Sequence, residues 1–157
     1  MPKRSAGLLL YRIREGAVAV LLVHPGGPFW AGKDLGAWSI PKGEHAEGEE
    51  PLQAALREFQ EETGQRPPRE HLVELGSIRQ RGGKLLTAWG VEGDLDPAGL
   101  TSNTFTIEWP PRSGRLQEFP EVDRAAWFDP ETARQKLLAA QAELLDRLLA
   151  ALAGGPR

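Results

Sequence analysis

Gly43-Glu44-His45-Ala46-Glu47-Gly48-Glu49-Glu50, followed by Arg57-Glu58-Phe59-Gln60-Glu61-Glu62-Thr63-Gly64, places several carboxylates on one short predicted helix. Glu58, Glu61 and Glu62 are spaced i, i+3 and i+4, so on a helix their side chains point the same way. Leu52, Ala55, Leu56 and Phe59 form a separate apolar face. One face packs and the other concentrates charge. Like charges at this spacing cost an isolated helix roughly a few tenths of a kcal/mol per pair, and a divalent cation is the natural counter-charge. With no cysteine in the chain and no histidine in the cluster, such a cation is held by oxygen. That suits Mg²⁺ or Mn²⁺ rather than zinc.

These residues resemble the Nudix box, which runs Gly, five residues, Glu, seven residues, then Arg-Glu-apolar-x-Glu-Glu-x-Gly and an apolar residue. Gly43, Glu49, Arg57, Glu58, Phe59, Glu61, Glu62 and Gly64 all fall on it. The one departure is Gln65, where the family prefers an aliphatic residue, at a position that packs rather than reacts. The resemblance implies an α+β domain of the Nudix type, an α/β/α sandwich with a mixed sheet and a loop-helix-loop catalytic motif. It implies that Glu58, Glu61 and Glu62 bind the metal together with the Gly43 carbonyl. Arg57 would orient a carboxylate through paired hydrogen bonds, and Glu49 would hold Arg57 or a further metal. In several Nudix subfamilies a further Glu acts as general base from a loop shortly before the last strand. Gln117-Glu118-Phe119-Pro120-Glu121-Val122-Asp123 stands there, with Glu121 the leading candidate and Glu118 the second.

Composition bounds the rest. At 157 residues and 40% hydrophobic content the chain is sized for one domain over residues 1–157 with a single packed core. Nineteen basic residues against 22 acidic ones leave a net charge of -3, which argues against a nucleic-acid-coating surface. The N-terminal apolar run, Leu8 to Tyr11, is too short for a signal-peptide core or a membrane span, so a cytoplasmic protein is expected.

Leu8 to Ile13 and Ala17 to Val23, separated by Arg14-Glu15-Gly16, predict a hairpin. His24 to Trp30 reads as a mobile, aromatic-tipped loop, and Ala37 to Ile40 as a short strand leading into Pro41-Lys42-Gly43. The helix is expected to begin near Pro51 and to end at Gly64. A second hairpin is predicted from Leu72 to Val91 around a two-residue Gly82-Gly83 turn, then strands at Thr104 to Trp109 and Ala125 to Phe128. From Glu131 onward, leucines at helical spacing predict one amphipathic helix. Packing of that stripe on the sheet is preferred to its use as a dimer seam.

Lys42 lies beside the box and is suited to phosphate oxygens. The Pro-Lys-Gly lead-in resembles that of Nudix enzymes for dinucleoside polyphosphates, diphosphoinositol polyphosphates and RNA 5′ ends. Trp30 and Trp109 adjoin Gly/Pro loops and are candidates for stacking on a base. Arg79 and Arg112 are candidates for distal phosphates. No histidine is assigned a catalytic role. The expected function is Mg²⁺-dependent hydrolysis of a nucleoside diphosphate linked to another moiety, favouring dinucleoside polyphosphates or nucleoside triphosphates, by a monomer or homodimer. The competing readings are pyrophosphate removal from RNA 5′ ends and a non-catalytic nucleotide-sensing module on the same fold.

Overall fold

Ala6 to Tyr11 is an almost unbroken apolar run because it lies at the centre of a sheet covered on both faces. A computed structural model of the chain describes residues 3–154. Strand β1 (Arg4–Arg14) pairs antiparallel with β2 (Ala17–Pro25) across a tight turn in which Glu15 and Gly16 both take positive φ. A short strand, β3 (Lys42–Glu44), pairs antiparallel with the start of β1. Helix α1 (Pro51–Thr63) follows, and then β4 (Val73–Arg79) and β5 (Leu85–Glu92) form an antiparallel hairpin. Strand β5 runs parallel to β1, so the sheet is mixed. Strands β6 (Thr104–Glu108) and β7 (Leu116–Pro120) form a separate two-stranded arm. Strand β8 (Val122–Phe128) returns to the main sheet against β2, giving the order β4-β5-β1-β2-β8. Helices α2 (Pro130–Lys136) and α3 (Ala142–Ala153) end the chain.

Strand alternation then divides the core in two. Ala6, Leu8, Leu10 and Leu21 point to one face, where Ala54, Ala55, Leu56 and Phe59 of α1 cover them. Leu9, Tyr11, Val20 and Leu22 point to the other, under Ala133 of α2 and Leu144, Leu145 and Leu148 of α3. The result is the expected three-layer α/β/α sandwich, and the leucine stripe packs on the sheet.

Four sequence expectations are corrected. Ala37 to Ile40 makes isolated bridges to Val23 and Leu137 instead of a strand, because its partners differ from residue to residue. The second hairpin closes with a three-residue loop: the Gln80 amide donates to the Lys84 carbonyl at 2.7 Å, enclosing Arg81 along with the two glycines. The single C-terminal helix is two, broken where Leu138 N donates to Trp38 O (2.8 Å) and buried Gln141 accepts from Ile40 N (3.0 Å). Finally, Gln117 to Asp123 is not a loop. Glu118 lies within β7, and Glu121 is the one residue between β7 and β8.

Candidate functional site

Helix α1 presents its acidic face to β3. Pro51 occupies its first turn, and Gly64 ends it at φ 76°, a left-handed conformation that costs glycine little. The expected apolar contact at position 65 is replaced by a hydrogen bond, since the Gln65 side chain donates to the Asp96 carbonyl at 3.2 Å.

Arg57 organises one side of the cluster. Its Nε and Nη2 donate to the two oxygens of Glu49 at 2.9 and 3.0 Å, and its Nη1 donates to Glu58 Oε2 at 2.8 Å and to Glu61 Oε2 at 3.0 Å. One planar cation therefore sets the directions of three carboxylates. The paired bonds from Arg57 hold the Glu49 carboxyl below its usual range. Arg57 itself is pushed upward, first by those bonds to Glu49.

Glu62 faces the other side. It is 8% exposed and accepts a hydrogen bond from the Lys42 amide at 3.2 Å. Burial pushes its carboxyl up to about 8, against a smaller opposing pull from the Lys42 charge. Glu58 is raised as well, by burial first and by the neighbouring Glu61 charge second. Gly43 lies directly against Glu58: a Cβ at position 43 would stand 2.0 Å from Glu58 Oε1. Only glycine allows the β3 backbone to come so close to that carboxylate.

This donor set fits a hard divalent cation. It is all oxygen, it includes two carboxyl groups that burial makes costly to ionise alone, and the Gly43 backbone lies against one of them, Glu58. Among the described residues no three acidic or histidine side chains already converge as a cage. Arg57 and the Lys42 amide engage the carboxylate oxygens instead.

Glu62 and Lys42 open into a cleft of about 360 Å³ that is also lined by Val23, Gly26, Phe29, Trp30, Phe105 and Glu121. That volume lies within the range of small-ligand sites. Glu121 therefore shares a cavity with Glu62, and its charge is among the influences that raise the Glu62 carboxyl. Glu118 stands apart on the two-stranded arm, accepting from Thr104 Oγ1 at 2.9 Å.

Of the aromatic candidates, Trp30 lines the cleft. Trp109 lies outside that lining and packs edge-on against Phe29 at 5.3 Å. Arg79 bonds the Gly83 carbonyl at the tip of the β4–β5 hairpin, and Arg112 lies at the tip of the β6–β7 arm; neither lines the cleft. Sequence reasoning missed Phe29 and Phe105. Phe29 neighbours Trp30 in the aromatic-tipped segment and was open to notice, but nothing local distinguishes Phe105 from Phe119 across the arm. The segment itself is anchored, with Gly26 N donating to Glu121 O at 2.9 Å, and His24 and Pro25 belong to β2.

A family model described as NUDIX domain matches residues 1–148. The octanoyltransferase of Myxococcus xanthus is 33% identical over 136 residues, which cover 87% of this chain and 33% of that protein; the chain thus spans about a third of that relative's length. Among solved structures, the Ap4A hydrolase of C. elegans in a binary complex is 25% identical with a TM-score of 0.64, covering 98% of this chain and 99% of that one. RenU, a Nudix hydrolase from M. Smegmatis, is 27% identical with a TM-score of 0.58, covering 98% and 87%. The NUDIX domain of Shewanella oneidensis NrtR complexed with ADP ribose shares the fold at 19% identity and a TM-score of 0.65, covering 97% and 89%.

Proposed function

We infer the substrate from one premise: this chain belongs to the NUDIX family and is a hydrolase of pyrophosphate bonds. The proposed reaction is Mg²⁺-dependent cleavage of a nucleoside diphosphate linked to another moiety, with dinucleoside polyphosphates or nucleoside triphosphates as the favoured substrates. The observation that carries this reading is the shared cleft, in which buried Glu62, Lys42, Glu121 and aromatic rings surround one cavity. The Pro41-Lys42-Gly43 lead-in and the likeness to an Ap4A hydrolase favour the longer polyphosphates within that class.

Glu58, Glu61, Glu62 and the Gly43 carbonyl would hold Mg²⁺ or Mn²⁺, with Glu49 acting through Arg57. When bound, the cation neutralises the diphosphate and lowers the pKa of coordinated water. Lys42 would grip phosphate oxygens as a point charge. Trp30, flanked by Phe29 and Phe105, would hold the base by stacking, which is worth roughly 1–3 kcal/mol per base. Glu121 would take a proton from the attacking water, whose oxygen bonds to phosphorus while the bridging oxygen leaves with the other phosphoryl group. We place this single domain in the cytoplasm, working as a monomer or homodimer. No helix among the described residues is long and apolar enough to cross a membrane.

The test is a turnover screen of dinucleoside polyphosphates, nucleoside triphosphates, nucleotide sugars and triphosphorylated RNA with Mg²⁺, with and without a chelator. Glu62→Gln is expected to lower turnover by about 10²-fold or more while the protein stays folded. Chelator-resistant turnover, or wild-type rates in Glu62→Gln at saturating Mg²⁺, refutes the metal assignment. Preference for the RNA would move the function to the 5′-end reading.

A further inference from the structure

His24 is wholly buried near the end of β2, and the hydrolytic reading makes no use of it. Its Nδ1 lies 2.8 Å from Asp123 Oδ1, and its Nε2 lies 2.7 Å from the Lys33 carbonyl oxygen. Both partners accept, whereas a neutral imidazole has only one N–H to donate. The two contacts are satisfied together when the ring carries two protons, or when Asp123 holds the shared one. The Asp123 side chain is 32% exposed, and the Arg124 Nε stands 3.6 Å from the same oxygen. With the Arg124 cation beside it Asp123 is taken as the acceptor, and each ring nitrogen then carries an N–H.

The two partners belong to two different segments that contribute residues to the cleft. Lys33 lies on the segment after β2 that carries Phe29 and Trp30. Asp123 is the second residue of β8, next to the cleft residues Glu121 and Val122. Resting on the assignment of that cleft to the substrate, we propose that His24 is a positioning residue: as an imidazolium it pins the aromatic segment to β8 and sets the spacing between Trp30 and Glu121.

Charged groups surround the ring. From β8, Asp123 and Arg124 face the ring. Trp38 stands edge-on to it at 5.2 Å, and behind that indole lie Asp34, which accepts from Trp38 Nε1, and Lys136 of α2, which pairs with Asp34. Arg124 also lies over Trp38 at 5.3 Å, and the Lys33 ammonium lies over Trp30 at 5.2 Å. Loss of the Nδ1 proton turns a lone pair toward the Asp123 carboxylate, and the clamp opens.

Long-range ¹H–¹⁵N spectra of the intact chain, assigned with His45→Gln and His71→Gln, read the ring directly. Both His24 nitrogens are expected to be protonated at neutral pH. Where one of the two protons is lost, KM for the best nucleotide substrate should rise about tenfold. In Asp123→Asn the introduced amide can donate to a neutral ring, so that pH-linked rise in KM should vanish while the melting temperature stays close to wild type. His24→Phe, which fills the space without hydrogen bonds, should raise KM by about tenfold at every pH. A singly protonated ring at neutral pH overturns the proposal, as does a shared KM–pH curve for wild type and Asp123→Asn. Should the variants fail to fold, the wild-type spectra alone decide. A wrong substrate site would appear separately, as turnover indifferent to Glu62→Gln with the His24 protonation state unchanged.

Discussion

Glu62 sits where a charge is costly to hold, and this has a measurable sign. Its carboxyl is raised by burial to about 8 in the folded chain, from an ordinary value of 4.5. Between those two values the folded state binds the proton more tightly than the unfolded state does, so the contribution of Glu62 to stability is fully present below about 4.5 and is lost as pH rises toward 8. Urea denaturation in chelator should therefore give a lower midpoint at about pH 8 than at about pH 5, and Glu62→Gln should flatten the difference, which is roughly a few kcal/mol at most. At Arg57, a lysine cannot make paired bonds to Glu49 while also reaching Glu58 and Glu61. Arg57→Lys is expected to lower metal affinity and turnover by about 10–100-fold, read by Mg²⁺ titration of the rate. The two base candidates separate by position, since Glu121 lines the cleft and Glu118 bonds Thr104 on the arm. Glu121→Gln should depress kcat by about 10²-fold or more with little change in KM, whereas Glu118→Gln should leave both near wild type. The reverse order would return the base to Glu118.

At the scale of elements, α1 was legible because its signals are local: a proline in the first turn, a glycine after the last, and an apolar face at helical spacing. The C-terminal helices were legible as apolar stripe but not as a break. Leucine periodicity runs through Leu137 to Gln141, yet that stretch leaves the helix to pair with Trp38 and to bring Gln141 under Ile40. Gln141 is buried; its Nε2 donates to Ser39 Oγ at 3.0 Å and its Oε1 accepts the Ile40 amide. Gln141→Ala leaves a buried backbone donor without a partner and should cost about 1–3 kcal/mol by urea denaturation. A larger turnover loss than stability loss would show that this junction also positions the neighbouring Pro41-Lys42-Gly43 segment.

Across the whole molecule, one sheet carries two cores, and α3 is the cover of the second. Leu148 is fully buried there, against the sheet and not against a second copy. Leu148→Ala should lower stability by about 2–5 kcal/mol and leave the oligomeric state in size-exclusion chromatography unchanged. By itself the sequence determined the box, its helix and the two hairpins, because each rests on spacing within about twenty residues along the chain, whereas the three-layer class came through the resemblance that the box carries. Even the separation of Arg57 from Glu49 is helix-and-turn arithmetic. Tertiary structure alone decided which loops meet at the cleft. Phe105 from the arm, Trp30 from the segment after β2 and Glu121 from the β7–β8 junction are brought together only because β8 returns to pair with β2, and that pairing fixes no spacing a linear pattern could carry. The same return places Asp123 beside His24, joining two residues whose separation in the chain made the histidine look idle.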